Sequence, residues 1–265
     1  RAPVDLRVNR LKAAPEAVAP LFPDATSIAA LPDALRLPEG YPVEKDAAWK
    51  DGLVEVQDAG SQAIVLACGA QPGMTVVDMC AGAGGKTLAL AAAMAGQGTL
   101  IAADTIRSRL ARLGPRAQRA GATFIETLLL DQSHEARGLA SLNWQADVVL
   151  VDAPCSGTGT WRRNPEARWR LTAARLDRLV AEQARILDFA APLLAPGGAL
   201  VYATCALTDR EGKAQVDAFL RRHAGWTPEA IDLPLGRAHG AGWLLTPGHD
   251  GTDGFFFARL RRTAA

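Results

Sequence analysis

The sequence predicts an α/β protein: a mostly parallel, twisted sheet with helices on both faces. Three observations carry that expectation. Short apolar runs alternate with longer Ala-, Leu- and Arg-rich stretches of helical length. Strands separated this way need right-handed crossovers, and crossovers cover both faces of a parallel sheet. Four of the runs end in an acid (Asp78, Asp104, Asp131 and Asp152) and a fifth ends at Cys205. A glycine-rich turn follows the first of them and opens a helix.

Taken in order, residues 1–52 stand apart. Seven prolines fall there, among short apolar stretches such as Val4-Asp5-Leu6-Arg7-Val8. They predict a short strand, one helix and further short strands, too little for an independent core. We expect a small N-terminal α+β lobe over 1–52, packed on a main domain over 53–265. In the main domain, strands are predicted at 75–79, 99–104, 124–130, 147–151 and 199–204, with a last strand at 254–260. Helices are predicted over 87–95, from the end of the second strand to about 120, and over 173–194, where Pro196-Gly197-Gly198 stops the chain. No repeat or low-complexity tract is visible.

Composition narrows the class. The chain has 265 residues, 49% hydrophobic and 22% charged, enough for one large domain with an appendage. Its formal net charge of +1 does not announce a polyanion binder, so such a site must come from local arginines. The four cysteines (Cys68, Cys80, Cys155 and Cys205) form no CxxC pair, which excludes a zinc site or disulfide scaffold as the expectation and implies reduced thiols in the cytoplasm. There is no signal peptide and no apolar run long enough to span a membrane. The chain starts at Arg1 without a methionine, as a fragment or processed form would, with room for an N-terminal domain upstream.

In open α/β sheets ligands bind beyond the carboxyl ends of the strands, where the acids and Cys205 fall. The bland reading of each acid is a cap on the following helix. The first turn reads Cys80-Ala81-Gly82-Ala83-Gly84-Gly85-Lys86-Thr87. A P-loop needs glycine where Cys80 stands, and the dinucleotide fingerprint needs glycine where Thr87 stands. A turn that brings backbone to a ligand without phosphates suits S-adenosylmethionine, and Asp104 is then placed for ribose hydroxyls. Cys68, in an apolar helical stretch, reads as a core thiol. Asp152-Ala153-Pro154-Cys155-Ser156-Gly157-Thr158-Gly159 and Tyr202-Ala203-Thr204-Cys205 each put a cysteine at the mouth of the sheet.

These two runs, with the glycine turn, Asp5-Leu6-Arg7-Val8-Asn9, residues 56–62, Arg162-Arg163-Asn164-Pro165 and Asp253-Gly254-Phe255-Phe256, resemble the Sun/Nop-type RNA cytosine-5 methyltransferases, nearest to those of the bacterial small ribosomal subunit. The family's turn usually reads Cys-Ala-Ala-Pro-Gly-Gly-Lys; Gly82-Ala83 replaces Ala-Pro here and keeps the glycines and the lysine. The resemblance implies a Rossmann-like class I methyltransferase that uses S-adenosylmethionine to methylate cytosine C5 in RNA, rRNA above all. It assigns covalent attack on C6 to Cys205 and the release step to Cys155. A free thiol titrates near 8.5, so the nucleophile needs activation, for which Lys86 is the candidate.

Within that reading Asp152 accepts from the base's exocyclic amine or lies near the cofactor's amino group. Asp131 meets the adenine side, and Arg109 steadies Asp104 or the cofactor. Residues 80–86 bind the cofactor. Arg162 and Arg163 are the expected RNA contacts, with Trp161, Arg168, Trp169 and Arg170 beside them. The expected protein is a monomer without a metal. Three rival readings stand beside it. A DNA cytosine-5 methyltransferase would attack with Cys155, but its Glu-Asn-Val motif is absent. The others are a tRNA cytosine-5 methyltransferase and a non-catalytic RNA-binding assembly factor of the same fold.

Overall fold

The computed structural model describes residues 2–131 and 145–263. The N-terminal strands β1 (Val4–Val8), β2 (Thr26–Ile28), β3 (Leu31–Leu37) and β4 (Val54–Val56) form an antiparallel sheet in the order β2-β3-β1-β4. Alternation along β1 serves two masters. Leu6 and Val8 join Phe22, Leu37 and Val54 in the lobe's own core. Asp5 and Arg7, also buried, reach the other way: Asp5 accepts from the Ala59 N–H at 3.0 Å, and Arg7 Nε donates to Gln57 at 2.8 Å. The sheet runs past residue 52, since β4 is its edge strand.

The main sheet contains β5 (Thr75–Asp78), β6 (Thr99–Asp104), β7 (Ile125–Leu129), β8 (Ala146–Asp152), β9 (Leu194–Thr204), β10 (Trp226–Glu229), β11 (Arg237–His239), β12 (Gly242–Leu245) and β13 (Phe255–Arg262). Their order is β11-β12-β13-β9-β8-β5-β6-β7, with β10 also paired to β13. The strands β7, β6, β5, β8 and β9 are mutually parallel; β13 returns antiparallel to β9. This is the doubly wound α/β sheet the sequence predicts. Val76, Leu150 and Val201 face one layer, with the helices Ala59–Cys68 and Gly85–Ala93. Val77, Val149 and Leu200 face the other, beneath Ala173–Ala190 and Lys213–Arg222. Full burial of each such side chain stabilises by about 1.5–3 kcal/mol. The chain leaves β5 toward β6 on one side and returns as β8 on the other, which opens a crevice at the strand ends.

Three expectations need correction. The helix predicted to end near 120 is two, Arg107–Leu110 and Leu113–Ala120. Pro115 cannot donate to residue 111, so it is tolerated only in the first turn of a new helix. The helix predicted over 173–194 stops at Ala190, because Pro192 removes the next donor and leaves a single 3-10 turn, Ala191–Leu193. The strand after it starts at Leu194: Leu194 pairs with Ala146 and Ala199 with Val148, so residues 195–198 bulge out. The short strands β10, β11 and β12 were not anticipated.

Candidate active site

The glycine turn is built by its neighbours. Ala81 N–H donates to the Ala103 carbonyl at 2.9 Å, and Gly82 N–H to Asp104 Oδ2 at 2.8 Å. Gly84, at φ 84°, caps the helix Gly85–Ala93. A Cβ there would lie 2.2 Å from Leu113 Cδ1, so only glycine closes this turn. From outside, Arg116 donates to the Ala83 carbonyl at 2.7 Å and to Glu55 at 2.8 Å, tying the turn to β4. Neither Arg116 nor Glu55 was singled out in the sequence.

Beside the turn lies a cavity of about 520 Å³, within the usual range for small-molecule sites. Its wall includes Cys80 through Ala83, Asp104, Arg109, Asp152, Cys155 and Cys205, together with the apolar Ile106, Leu130, Ile186 and Phe189. The expected residues thus converge, with qualifications. Asp104 lines the cavity while its other oxygen accepts from Ile106 N–H at 2.7 Å, so it orders the loop as well as facing the ligand space. Leu130, not Asp131, lines the wall; Asp131 is exposed next to it. Asp78 does not reach the cavity. It is buried and accepts from Thr87 Oγ1 at 2.7 Å, inside the following helix, whose N-cap is Gly84 and not this acid. Burial pushes its carboxyl up to about 7. Cys68 is fully buried, and burial raises its thiol to about 12.

Strand pairing brings the two remaining cysteines together. In β8 and β9, Asp152 is opposite Ala203, so the loops that leave both strands start side by side. Cys155 Sγ and Cys205 Sγ are 3.1 Å apart, both partly exposed. A hydrogen bond from Cys155 lowers the Cys205 thiol below its ordinary range; burial and Asp152 oppose this, and Lys86 assists it. The same bond, with burial, raises Cys155 well above the ordinary range. In this pair Cys205 is the more acidic thiol and Cys155 the less acidic one. Lys86, nearly buried, donates to Asp152 Oδ2 at 2.6 Å and stands 5.6 Å from the centre of the Phe255 ring. Burial pulls the ammonium down, but the charge of Asp152 and its hydrogen bond outweigh this and hold it above the ordinary lysine value. Lys86 is thus a cation paired in the cleft, not one extended toward a phosphate.

A buried acid holds the two cysteine loops. Glu211 is 0% exposed and accepts from Ser156 N–H (2.7 Å), Ser156 Oγ (2.5 Å), Gln183 Nε2 (3.1 Å) and Thr208 Oγ1 (2.8 Å). Gln183 also donates to the Pro154 carbonyl at 2.9 Å, beside Cys155. Gly159 N–H donates to the Cys205 carbonyl at 3.0 Å, and Gly159 is itself pressed against Gly254, whose oxygen is 1.9 Å from where a Cβ would sit. Sequence reasoning passed over Glu211, Gln183 and Gly159.

Arg162 and Arg163 take another part than the expected one. Asp58 accepts from both, at 3.0 and 2.9 Å, and Asp253 accepts from both as well. Arg163 also donates to the Pro3 carbonyl at 2.9 Å. These guanidinium groups fasten the segment after Cys155 to the start of the helix Ala59–Cys68 and to the turn before β13, and Arg163 reaches the N-terminal lobe as well. Their donors are directed inward, which does not favour them as phosphate contacts. Among the described residues there is no acid–cysteine–histidine cluster able to hold a metal, and no helix long and apolar enough to cross a membrane.

Comparison with known proteins agrees with this architecture. A family model described as 16S rRNA methyltransferase RsmB/F matches residues 63–261. A Synechocystis protein described as a probable ribosomal RNA small subunit methyltransferase B is 36% identical over 269 residues, covering 98% of this chain and 60% of the relative. The ribosomal RNA small subunit methyltransferase B of Xanthomonas campestris is 37% identical over 268 residues, covering 99% and 61%. The chain thus spans about 60% of the length of these relatives. A methyltransferase homologue from Pyrococcus horikoshii superposes with a TM-score of 0.84 at 25% identity, covering 99% of this chain and 87% of that one. NSun6 from the same organism, solved with SFG, shares the fold at 21% identity, with a TM-score of 0.87 and coverage of 100% and 92%. The fold is that of the Rossmann-like class I methyltransferases.

Proposed function

Because the chain belongs to the RsmB/F family of 16S rRNA methyltransferases, we propose that it is an S-adenosylmethionine-dependent methyltransferase acting on cytosine C5 of rRNA through a covalent Cys205–C6 adduct. The observation that carries this reading is the geometry of the thiol pair: two sulfurs 3.1 Å apart on the cavity wall that Asp152 also lines, with Lys86 paired to that acid. Paired thiols of unlike acidity suit a reaction that needs one nucleophile and one separate group for release.

The cavity fits the cofactor on its own chemistry. The Asp104 carboxylate offers acceptors for hydroxyls, backbone from Cys80 to Ala83 edges the space, and Leu130, Ile106 and Phe189 supply apolar surface for a base. Arg109 lines the same rim, and Asp131 lies beside Leu130 at its edge. When bound, S-adenosylmethionine supplies an electrophilic methyl group on a sulfonium sulfur. Everything else falls to the protein. The Cys205 thiolate adds to C6 of cytosine, which breaks the ring's aromaticity and makes C5 nucleophilic. Asp152 holds Lys86 with Oδ2, and its other oxygen can accept from the exocyclic amine that distinguishes cytosine from uracil. After C5 is methylated, a base takes the C5 proton, the C5–H electron pair re-forms the C5=C6 double bond, and the C6–S bond breaks with its pair returning to Cys205; Cys155 can be that base only as thiolate, after its own proton has gone to solvent. Cys155 serves this release step. The target base must leave any stack to reach the thiols. The N-terminal lobe, with its sheet ending at β4, buttresses the cofactor turn through Glu55 and Arg116.

The test is methyl transfer from labelled S-adenosylmethionine to transcribed 16S rRNA, with the product nucleoside identified. Wild type is expected to yield 5-methylcytosine, and Cys205→Ser none. A label on another atom, or near-normal transfer by Cys205→Ser, contradicts the reading.

A further inference from the structure

With Arg162 and Arg163 committed to Asp58 and Asp253, other residues must meet an RNA chain. The segment that follows them is unlike the rest of the surface. Trp169 is 78% exposed, far more than any other large apolar side chain among the described residues. The Arg168 guanidinium stands 4.7 Å from the centre of its ring. Arg168, Arg170, Arg175 and Arg178 are all exposed, and none has an ion-pair partner among the described residues. Asp177, which could have neutralised them, is engaged by Arg210 at 2.7 Å. The segment is tied to the reaction site at both ends. It begins in the loop of Cys155, and Arg175 lines the same cavity as Cys155 and Cys205. Arg109 lines the same cavity, near Arg107 and Arg112 in the chain, which are exposed and likewise unpaired among the described residues.

An exposed tryptophan packed on one arginine, set among unpaired cations, suits a single-stranded nucleic acid. The ring takes a base face, and the cations take phosphates. An apolar protein partner would not require four arginines without an ion-pair partner, which outnumber the one acid of the segment left free among the described residues, Glu166, and charge complementarity therefore favours a polyanion. We propose that the 3-10 helix Pro165–Arg170 and the start of the helix Ala173–Ala190 form the surface that grips the RNA beside the target cytosine. In it Trp169 stacks on an unpaired base, while Arg170, Arg175 and Arg178 hold the flanking phosphates. This rests on the RNA reading above and names residues for it.

The test measures affinity for a transcribed 16S rRNA between 50 and 200 mM salt, with S-adenosylmethionine binding followed by calorimetry as a check on the fold. One stacked base is worth roughly 5- to 150-fold in affinity, so Trp169→Ala should weaken binding by that factor and Trp169→Phe should retain most of it. The pair Arg170→Ala and Arg178→Ala should flatten the salt dependence by about 0.7 in log–log slope for each phosphate no longer held. Binding by Trp169→Ala within twofold of wild type, or an unchanged slope in the double variant, overturns the surface. If wild type methylates the RNA while Trp169→Ala binds normally, only the surface fails. If binding depends on Trp169 but wild type transfers no methyl group, only the methylation reading fails.

Discussion

Glu211 offers a sharp test of how the thiol pair is held. Its carboxylate is fully buried, has no cation paired with it among the described residues, and takes four hydrogen bonds from two loops and a helix. The donors are of two kinds. Oε1 accepts from Ser156 N–H and Gln183 Nε2, which can only donate. Oε2 accepts from the hydroxyls of Ser156 and Thr208, which can turn and accept instead. An amide placed with its oxygen at Oε1 and its nitrogen at Oε2 satisfies all four. Glu211→Gln should therefore stay close to wild type, losing only charge assistance. Glu211→Ala strands two obligate donors, at about 1–3 kcal/mol each, for a total of about 2–6 kcal/mol. In a chain of this size that corresponds to roughly 5–20 °C in melting temperature. Thermal melting, paired with the rate at which iodoacetamide alkylates Cys205, reads both stability and the thiol pair. Slower alkylation is expected for Glu211→Ala and near-normal alkylation for Glu211→Gln. The reasoning is refuted if Glu211→Ala melts and alkylates as wild type does, or if Glu211→Gln is as damaged as Glu211→Ala.

Two further outcomes follow from the same architecture. Asp78 binds its proton more tightly folded, near 7, than in an ordinary carboxyl at 3.8, because it is buried. Its contribution is thus fully present below about pH 4 and is lost as pH rises through 7. Urea unfolding should show wild type losing about 2–3 kcal/mol more than Asp78→Asn between pH 5 and 7.5, at about 1.4 kcal/mol per pH unit; equal losses would contradict it. Gly159→Ala would drive a methyl group into the Gly254 carbonyl, backbone against backbone. A cost of about 1–3 kcal/mol or more is expected, with loss of methyl transfer, whereas a wild-type melting curve would show that the close approach is not required.

What could be read from the sequence and what could not divides along chain distance. Strand ends, the glycine turn and the placing of Cys155 and Cys205 at one mouth are local patterns projected through a standard topology, and they survive folding intact. The misread features depend on partners far away in the chain. Arg162 and Arg163 looked like spare cations because Asp58 and Asp253 lie about a hundred residues off on either side. Glu211 sits in a polar stretch, residues 207–213, that reads as a wet loop; its burial follows from Ser156, 55 residues earlier. Asp78 and Asp104 share one pattern, yet Thr87 claims the first for the core while the second lines the cavity. The broken helix is a different case, since Pro115 and Pro192 were in plain view and the rule against interior proline applied.

The central claim is that Cys205 attacks and Cys155 releases, and one gel tests it. Wild type, Cys155→Ser, Cys205→Ser and the double variant are each incubated with labelled 16S rRNA and S-adenosylmethionine, then denatured. The account predicts a retarded covalent protein–RNA band with Cys155→Ser alone, because attack proceeds and release stalls, and no such band with Cys205→Ser or the double variant. A band that persists in Cys205→Ser and vanishes in Cys155→Ser would reverse the roles and contradict the account.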